Sequence, residues 1–344
     1  MNKIFVSIAS YRDDECNPTI NSLFENAKDW TRCNVGICQQ NNKSDTDCLA
    51  SINEIWKCNI RILRIPYIHA KGPTYARYLC SGLWNGEEYY FQIDSHTTFT
   101  KDWDEKLINM IKEIKNQNLS DKPVISHYPE DRIVINDKNN DVPHIYTAQY
   151  DDNDILVFSS AIYTNMKDGY KRGYFIAGGM FFCEAKFLEE IPFDPSLDNL
   201  FMGEEILTSV RFFTYGWDVF SPKENIIFHE YTRADKPKYT TDSKERLDSS
   251  KAQQRVKNIL DINYKEDDKY NEYGLGKIRT LEDYYSKITI LPRKTEKPEE
   301  KTTDKTIEGF NGGRYRIHNN QYIMSLIIIL FIILLICFIL LANN

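Results

Sequence analysis

The fold is decided by residues 87–99, which read EEYYFQIDSHTTF. The apolar run at 89–93 is typical of a β-strand, and it ends in Asp94-Ser95-His96. Side chains two positions apart on a strand point the same way, so Asp94 and His96 can reach one metal ion from the same side. A carboxylate oxygen with an imidazole nitrogen suits Mn²⁺, and Mg²⁺ less well, although a third ligand is still needed. A strand that simply ends in a polar turn is the alternative.

Apolar runs alternate with helical patterns in the N-terminal part of the chain. Residues 3–10, 34–41 and 60–65 each read as a strand. Between the first two, residues 17–27 predict a helix with Pro18 in its first turn. This order predicts an α/β fold with a mostly parallel sheet and crossover helices. Ligands of such sheets bind outside the carboxyl ends of the strands.

A further helix is predicted to begin within residues 71–78, with Lys71 and Arg77 at or near its N-terminal end. Helix N-termini attract anions, so these two residues could hold a diphosphate. A solvated helix start is the alternative, and for Lys71 alone it is the preferred interpretation.

The middle of the chain is less regular. Residues 131–154 are rich in Asp and Asn and are interpreted as a loop. Residues 174–182 read as a strand that contains Gly178 and Gly179. Paired glycines allow another group to approach the backbone closely, and a β-bulge is the alternative.

Two later segments carry groups suited to chemistry. A helix is predicted to begin at Glu204 and Glu205, where one acid is accounted for by the helix dipole. Two adjacent acids also suit the binding of sugar hydroxyls or the role of a catalytic carboxylate. The apolar run at 226–231 contains His229, which either supplies the third metal ligand or serves only as a hydrogen-bonding histidine.

Composition excludes some functions. The chain of 344 residues has a formal net charge of −7 and a pI of about 5.5, so it offers no basic surface that would hold nucleic acid. None of its eight cysteines forms a CxxC pair, which predicts reduced thiols in a cytosolic setting. A disulfide stays open among the five cysteines nearest the N-terminus, which are Cys16, Cys33, Cys38, Cys48 and Cys58.

The C-terminal end predicts a membrane anchor. Residues 323–342 are almost wholly apolar, and about 20 such residues are enough to cross a bilayer as a helix. We therefore predict a single-pass transmembrane helix at 322–342 after a flexible charged stalk at 291–321. An N-terminal domain at 1–290, with its core at about 3–235, would face the cytosol. A buried core helix is the alternative for the apolar run.

Four segments, taken together and in order, carry a resemblance to a known family. They are IFVSIASYRD at 4–13, FQIDSH at 91–96, FMGEEI at 201–206 and GWD at 216–218. This set resembles the GT-A fold of nucleotide-sugar glycosyltransferases over about residues 3–235. The likeness is strongest to the N-acetylglucosaminyltransferases that modify hydroxyproline on a cytosolic ubiquitin-ligase adaptor subunit, and to their viral and protist relatives. Polypeptide N-acetylgalactosaminyltransferases share the Asp-x-His and are more distantly similar.

The resemblance implies a role for each candidate residue. A divalent metal, Mn²⁺ or Mg²⁺, would bridge the diphosphate of a UDP-sugar and be bound by Asp94, His96 and His229. The nucleotide-sugar would be contacted by the end of the first strand, by an arginine, by the metal-binding acid and by the paired glycines: Ser10, Arg12, Asp13, Arg77, Asp94, Gly178 and Gly179. The acids near the sugar and the acceptor, and so the candidate catalytic residues, would be Glu204 and Glu205.

We therefore expect one GT-A catalytic domain followed by a transmembrane helix. It would transfer a sugar with retention of anomeric configuration, with UDP-GlcNAc as the first choice of donor and a hydroxyl group on a protein or glycan as acceptor. A membrane-held enzyme of this kind would fit a viral or protist source. The alternative is a membrane-anchored nucleotide-sugar-binding or carbohydrate-binding protein without turnover. A metal hydrolase is disfavoured because the chain has no HExxH motif.

Overall fold

The computed structural model describes residues 2–137, 141–166, 169–242, 248–264 and 267–291. These residues all belong to one structural unit, Met1–Lys297. The predicted transmembrane helix and all but the first residue of the predicted stalk lie outside the described residues. Within the described part of the chain, no helix is both long enough and apolar enough to cross a membrane.

The strands build one large mixed sheet and two smaller ones. Their bounds are β1 Ile4–Tyr11, β2 Cys33–Asn41, β3 Ile60–Pro66, β4 Tyr89–Asp94, β5 Thr97–Phe99, β6 Pro123–Ser126, β7 Glu130–Asp131, β8 Val142–Tyr150, β9 Leu156–Thr164, β10 Arg172–Gly173, β11 Met180–Glu184, β12 Asp218–Phe220 and β13 Ile227–His229. The large sheet has the order β10-β12-β6-β11-β4-β1-β2-β3. The order β5-β13-β7 forms a second sheet, and β8 pairs with β9.

The large sheet is parallel on one side and mixed on the other. β1 runs parallel to both β2 and β4, as the alternation of strands and helices predicts. β11, in contrast, is antiparallel to both of its neighbours, β4 and β6. The prediction of an α/β fold is confirmed, and the large sheet is the mixed sheet expected of a GT-A fold.

Helices cover both faces of this sheet. Their bounds are α1 Cys16–Asn26, α2 Gly72–Ser81, α3 Trp103–Asn116, α4 Phe187–Glu190, α5 Glu204–Thr214, α6 Tyr239–Asp242, α7 Ser250–Leu260 and α8 Leu281–Ile288. Ile4, Val6 and Ile8 of β1 pack with apolar side chains of α1 and α3. Phe5 points to the other face, where it joins a cluster that includes Phe212 of α5. The alternation follows from the two-residue period of a strand.

The prediction of a loop at residues 131–154 is wrong for its second half. Val142–Tyr150 is β8, and it forms an antiparallel pair with β9. The turn between them is organised by Asp151, whose Oδ1 accepts hydrogen bonds from the backbone N–H groups of Asn153 and Ile155 at 2.9 and 2.8 Å. The Asp and Asn residues therefore mark a turn between two strands rather than a long loop.

The Gly178-Gly179 pair also differs from its prediction. Ala177 and Met180 form an isolated bridge around the two glycines, so the pair makes a turn and β11 begins only at Met180. The carboxylate of Glu205 accepts a hydrogen bond from the Gly178 N–H at 2.8 Å. A side-chain acceptor thus replaces a neighbouring strand at this position.

The expectation of reduced thiols throughout is wrong at one pair. Cys16 and Cys48 form a disulfide, with their Cα atoms 5.1 Å apart. It links the start of α1 to the segment that follows β2. A disulfide was one of the alternatives open for the five N-terminal cysteines, but sequence spacing does not identify which two meet in space.

Candidate active site

The candidate site lies where strands of two sheets end. β4 ends at Asp94, opposite Ala9 of the neighbouring parallel strand β1. β13 ends at His229 and pairs antiparallel with β5, so that His229 lies opposite Thr97. Because His96 directly precedes Thr97, this register brings the two histidines together beside Asp94.

Asp94, His96 and His229 form a candidate metal site, named the donor cluster below. One ligand atom from each residue lies within 4.8 Å of the others. The Asp94 Oδ2 is 3.1 Å from the His229 Nε2, and the two imidazole rings meet edge-on with centroids 4.4 Å apart. The structure thus brings the three predicted residues together.

Gly179 allows the backbone to lie against this cluster. A Cβ atom at that position would be 2.7 Å from the Asp94 Oδ2. Any residue other than glycine would therefore push the carboxylate or the turn out of place. Gly178 likewise lets the backbone lie against a side chain, because a Cβ there would be 2.9 Å from Arg77 Nη1.

His229 and Arg77 both favour the ionised form of Asp94. Arg77 Nη2 donates to the Asp94 Oδ1 at 3.0 Å, and the Arg77 side chain is largely buried. Desolvation by itself raises the pKa of Asp94, but the hydrogen bond from His229 and the charge of Arg77 outweigh it and lower that pKa well below its usual range. An ionised carboxylate is the form in which aspartate binds a cation.

The two acids of α5 have different partners. Glu204 forms an ion pair with Arg77 through Oε1 and accepts a hydrogen bond from the Thr74 hydroxyl at 3.2 Å through Oε2. Glu205 accepts from the Gly178 N–H at 2.8 Å and from the Tyr128 hydroxyl at 2.6 Å. Glu204 is therefore bonded to α2, which lies beside the donor cluster, whereas Glu205 is bonded to the glycine turn.

Asp13 lies on the other side of the donor cluster. Its Oδ2 is 2.8 Å from the His96 Nδ1 and accepts from the Ser95 hydroxyl at 2.6 Å. Its Oδ1 is 3.1 Å from Arg233 Nη2. Desolvation raises the pKa of Asp13, but the hydrogen bond with His96 and the charges of His96 and Arg233 lower it overall.

Ser10 and Arg12 share the end of β1 but make other contacts. Ser10 is buried, and its hydroxyl is 3.7 Å from Cys48 Sγ. Arg12 forms ion pairs with Asp45 and Asp242 at 2.9 and 2.8 Å. The structure thus brings nine predicted residues into one connected group and leaves these two at its edge. The nine are Asp13, Arg77, Asp94, His96, Gly178, Gly179, Glu204, Glu205 and His229.

Three further residues contact this group and were missed in the sequence. Thr74 lies in the helix predicted to begin within residues 71–78, and Tyr128 follows β6, but neither carries a signal that distinguishes it from a structural residue. Arg233 lies in the polar segment after β13, four positions past His229, and the spacing of a basic residue after a strand end gives no distinct signal either. Their roles depend on tertiary contacts.

The sequence model of the Glycosyltransferase (GlcNAc) family matches residues 3–54 and 50–294. The chain belongs to this family. The fold of this glycosyltransferase is similar to that in a crystal structure of GalNAc-T7 with UDP, GalNAc and Mn²⁺, at a TM-score of 0.55 and 14% sequence identity. That match covers 84% of this chain and 55% of the GalNAc-T7 chain, so the glycosyltransferase spans about half the length of this neighbour.

A second solved neighbour is S. aureus TarS 1–349 in complex with UDP-GlcNAc. It has a TM-score of 0.46 and 14% identity, with 79% of this chain and 70% of that chain covered. A search of the curated proteins gave no match. The family match confirms the predicted glycosyltransferase, and the likeness to GalNAc-T7 confirms the predicted GT-A fold.

Proposed function

We propose that this glycosyltransferase transfers N-acetylglucosamine from UDP-GlcNAc, with metal dependence and with retention of configuration, to a hydroxyl group of a protein or glycan. The observation that carries the proposal is the donor cluster at the end of β4, where three ligand atoms lie within 4.8 Å of one another. The donor sugar rests on the family description, which names GlcNAc.

The chemistry of the donor cluster fits a divalent cation. It offers one carboxylate oxygen and two imidazole nitrogens, a set that suits Mn²⁺ better than the all-oxygen sites preferred by Mg²⁺. Asp94 contributes a negative charge, because its pKa lies well below its usual range. The GalNAc-T7 neighbour was solved with UDP and Mn²⁺, which supports the choice of this cation.

A bound metal would neutralise the negative charge that develops on the leaving diphosphate. The protein's own residues prepare the surroundings of that charge. Arg77 holds Asp94 and Glu204 in place and brings a buried positive charge to the site. Gly178 and Gly179 form a turn without side chains, which lets the backbone lie directly against Arg77 and Asp94.

Glu205 is our candidate for the acid that contacts the sugar or the acceptor hydroxyl. It holds the glycine turn through the Gly178 N–H, and Tyr128 orients its second oxygen. Both acids are bonded through both oxygens, but Glu204 forms an ion pair with the buried Arg77 and accepts from Thr74, whereas Gly178 and Tyr128 are neutral donors to Glu205. We therefore propose a positioning role for Glu204 and direct contact with substrate for Glu205.

The test is calorimetric titration of the full chain with UDP-GlcNAc, with and without Mn²⁺. We expect binding that needs the metal and that is lost in Asp94→Ala and His229→Ala. Asp14→Asn is the matched control, because Asp14 is exposed and pairs only with Lys236 among the contacts the structure describes for it. Metal-independent binding, or unchanged binding in Asp94→Ala, would contradict the proposed site.

Transfer is measured separately, as release of UDP with and without candidate hydroxyl acceptors. Turnover that falls in Glu205→Gln while UDP-GlcNAc still binds would support the enzymatic role. Binding without any turnover in the wild type would instead favour the non-enzymatic alternative, a nucleotide-sugar-binding protein.

The membrane anchor and the cytosolic orientation stay proposals drawn from the sequence. Asn42 and Asn118 lie in N-x-Ser sequons, and Asn118 is exposed on the domain. A domain in the cytosol should carry no N-glycan at either position. A fall in mass on enzymatic deglycosylation of the protein from its native cells would contradict that orientation.

A further inference from the structure

Two groups of opposite charge compete for one nitrogen of His96. The Asp13 Oδ2 lies 2.8 Å from the His96 Nδ1, and Arg233 Nη1 lies 2.9 Å from the same atom. Arg233 also pairs with Asp13, through Nη2 and Oδ1 at 3.1 Å. All three side chains are largely buried, so water competes little for these contacts.

The two contacts require opposite protonation of the ring. A carboxylate only accepts hydrogen bonds, so the Asp13 contact places the proton on Nδ1 and leaves the Nε2 lone pair available. A guanidinium only donates, so an Arg233 contact needs the Nδ1 lone pair and places the proton of a neutral ring on Nε2. Only the first form of His96 can offer Nε2 to a metal ion.

We propose that Asp13 is a positioning residue that selects the Nδ1-protonated form of His96 and so presents its Nε2 to the cation, while Arg233 favours the form that cannot bind. The inference rests on the metal site of the proposed function. It gives Asp13 a task other than the nucleotide-sugar contact that the family resemblance implies.

The surroundings of Asp13 support a fixed orientation. Its Oδ2 accepts from the Ser95 hydroxyl at 2.6 Å, and its Oδ1 accepts from the backbone N–H of Glu15 at 3.1 Å. Ser95 lies between the two donor-cluster residues of the β4 end, so Asp13 is bonded to the same turn that it orients. The neighbouring Asp14 shows the contrast, because its side chain is half exposed and pairs with Lys236 outside this group.

The test measures Mn²⁺ affinity of the full chain by electron paramagnetic resonance, without any substrate. Partners that orient a metal-binding histidine commonly contribute about 10- to 100-fold to metal affinity, and we expect a loss in that range for Asp13→Ala. Asp13→Asn keeps the size and one acceptor oxygen, so it should lose less. Asp14→Asn should bind as the wild type does.

The competition predicts a rescue. Arg233→Met should bind Mn²⁺ at least as tightly as the wild type. Combined with Asp13→Ala, it should recover part of the lost affinity, because the group that draws the Nδ1 lone pair is gone. Pulsed resonance should show one histidine nitrogen coupled to Mn²⁺ in Asp13→Ala and two in the wild type and the double variant.

His96→Ala separates the two ways in which the inference can fail. If the wild type does not bind Mn²⁺, or if His96→Ala binds it unchanged, the metal site is wrong and the inference falls with it. If His96→Ala weakens binding while Asp13→Ala and Asp13→Asn do not, the metal site stands and the role of Asp13 is wrong. A double variant as weak as Asp13→Ala would overturn the competing role of Arg233.

Discussion

The guanidinium groups of Arg77 and Arg12 each lie between two carboxylates, but Arg77 and its partner Glu204 are buried, whereas Arg12 and both of its partners are partly exposed. Arg77 contacts Asp94 and Glu204, and its side chain is 8% exposed. Desolvation alone would lower the pKa of Arg77, yet the charges of the two acids raise it well above its usual range. This centre joins the donor cluster to the start of α5.

The Arg12 centre also consists of one arginine and two carboxylates, but its arginine is more exposed to solvent. Arg12 pairs with Asp45 and Asp242 and lies 4.7 Å from the ring centroid of Tyr67, with its side chain 19% exposed. Its contacts connect the end of β1 to the segment after β2 and to α6. The two centres contain the same number of charges but should respond differently to mutation. Removing a buried charge leaves its partner unpaired and without access to water.

Arg77→Met should be the most damaging change. It leaves the buried Glu204 without its cation and removes one partner of the half-buried Asp94, and breaking a buried ion pair costs about 3–5 kcal/mol of unfolding free energy. Chemical denaturation measures the loss. Arg12→Met is the matched variant, and since exposed pairs contribute about 1 kcal/mol or less, it should lose little. Equal losses in the two variants would contradict the importance of burial.

Glu204→Gln and Glu205→Gln should separate stability from turnover. Glutamine at 204 replaces a charged hydrogen bond to Arg77, and such bonds contribute about 1.5–3 kcal/mol to stability. Glutamine at 205 keeps an acceptor for the Gly178 N–H, so stability should change less while turnover falls more. Denaturation curves and UDP release, measured on both variants, test the split. A larger loss of stability at 205 than at 204 would reverse our assignment of the two roles.

Gly179→Ala tests how tightly the glycine turn fits against Asp94. The new Cβ would be 2.7 Å from the Asp94 Oδ2, and overpacking of this kind costs about 1–3 kcal/mol. Mn²⁺ affinity should fall as well, because the carboxylate must move. Gly82→Ala is the control, since the nearest atom to its Cβ would be at 3.4 Å. Unchanged Mn²⁺ affinity in Gly179→Ala would show that the turn has room to adjust.

The sequence was sufficient for much of this site because the site is built from strand ends. Asp94 and His96 end an apolar run, and His229 ends another, so local patterns located all three. Their meeting depends on the pairing of β5 with β13, which local patterns do not contain. The family resemblance supplied that part of the prediction.

Other features could not be predicted because they depend on contacts between distant segments. The ion pair of Arg77 with Glu204 joins residues 127 positions apart, and the contact of Asp13 with His96 joins residues 83 apart. The disulfide partners Cys16 and Cys48 are likewise chosen by the packing of α1 on the segment after β2. The spacing of residues along the sequence does not predict such pairs.

Asp242→Asn should have the smallest effect. It removes one of the two carboxylates of Arg12, but Asp45 still holds the Nε of that arginine at 2.9 Å. Because the pair is partly exposed, its loss should cost about 0.2–1 kcal/mol, and less in high salt. Denaturation at low and high ionic strength measures both. A loss as large as that of Arg77→Met would mean that the Arg12 centre also depends on burial, and the contrast between the two arginines would then fail.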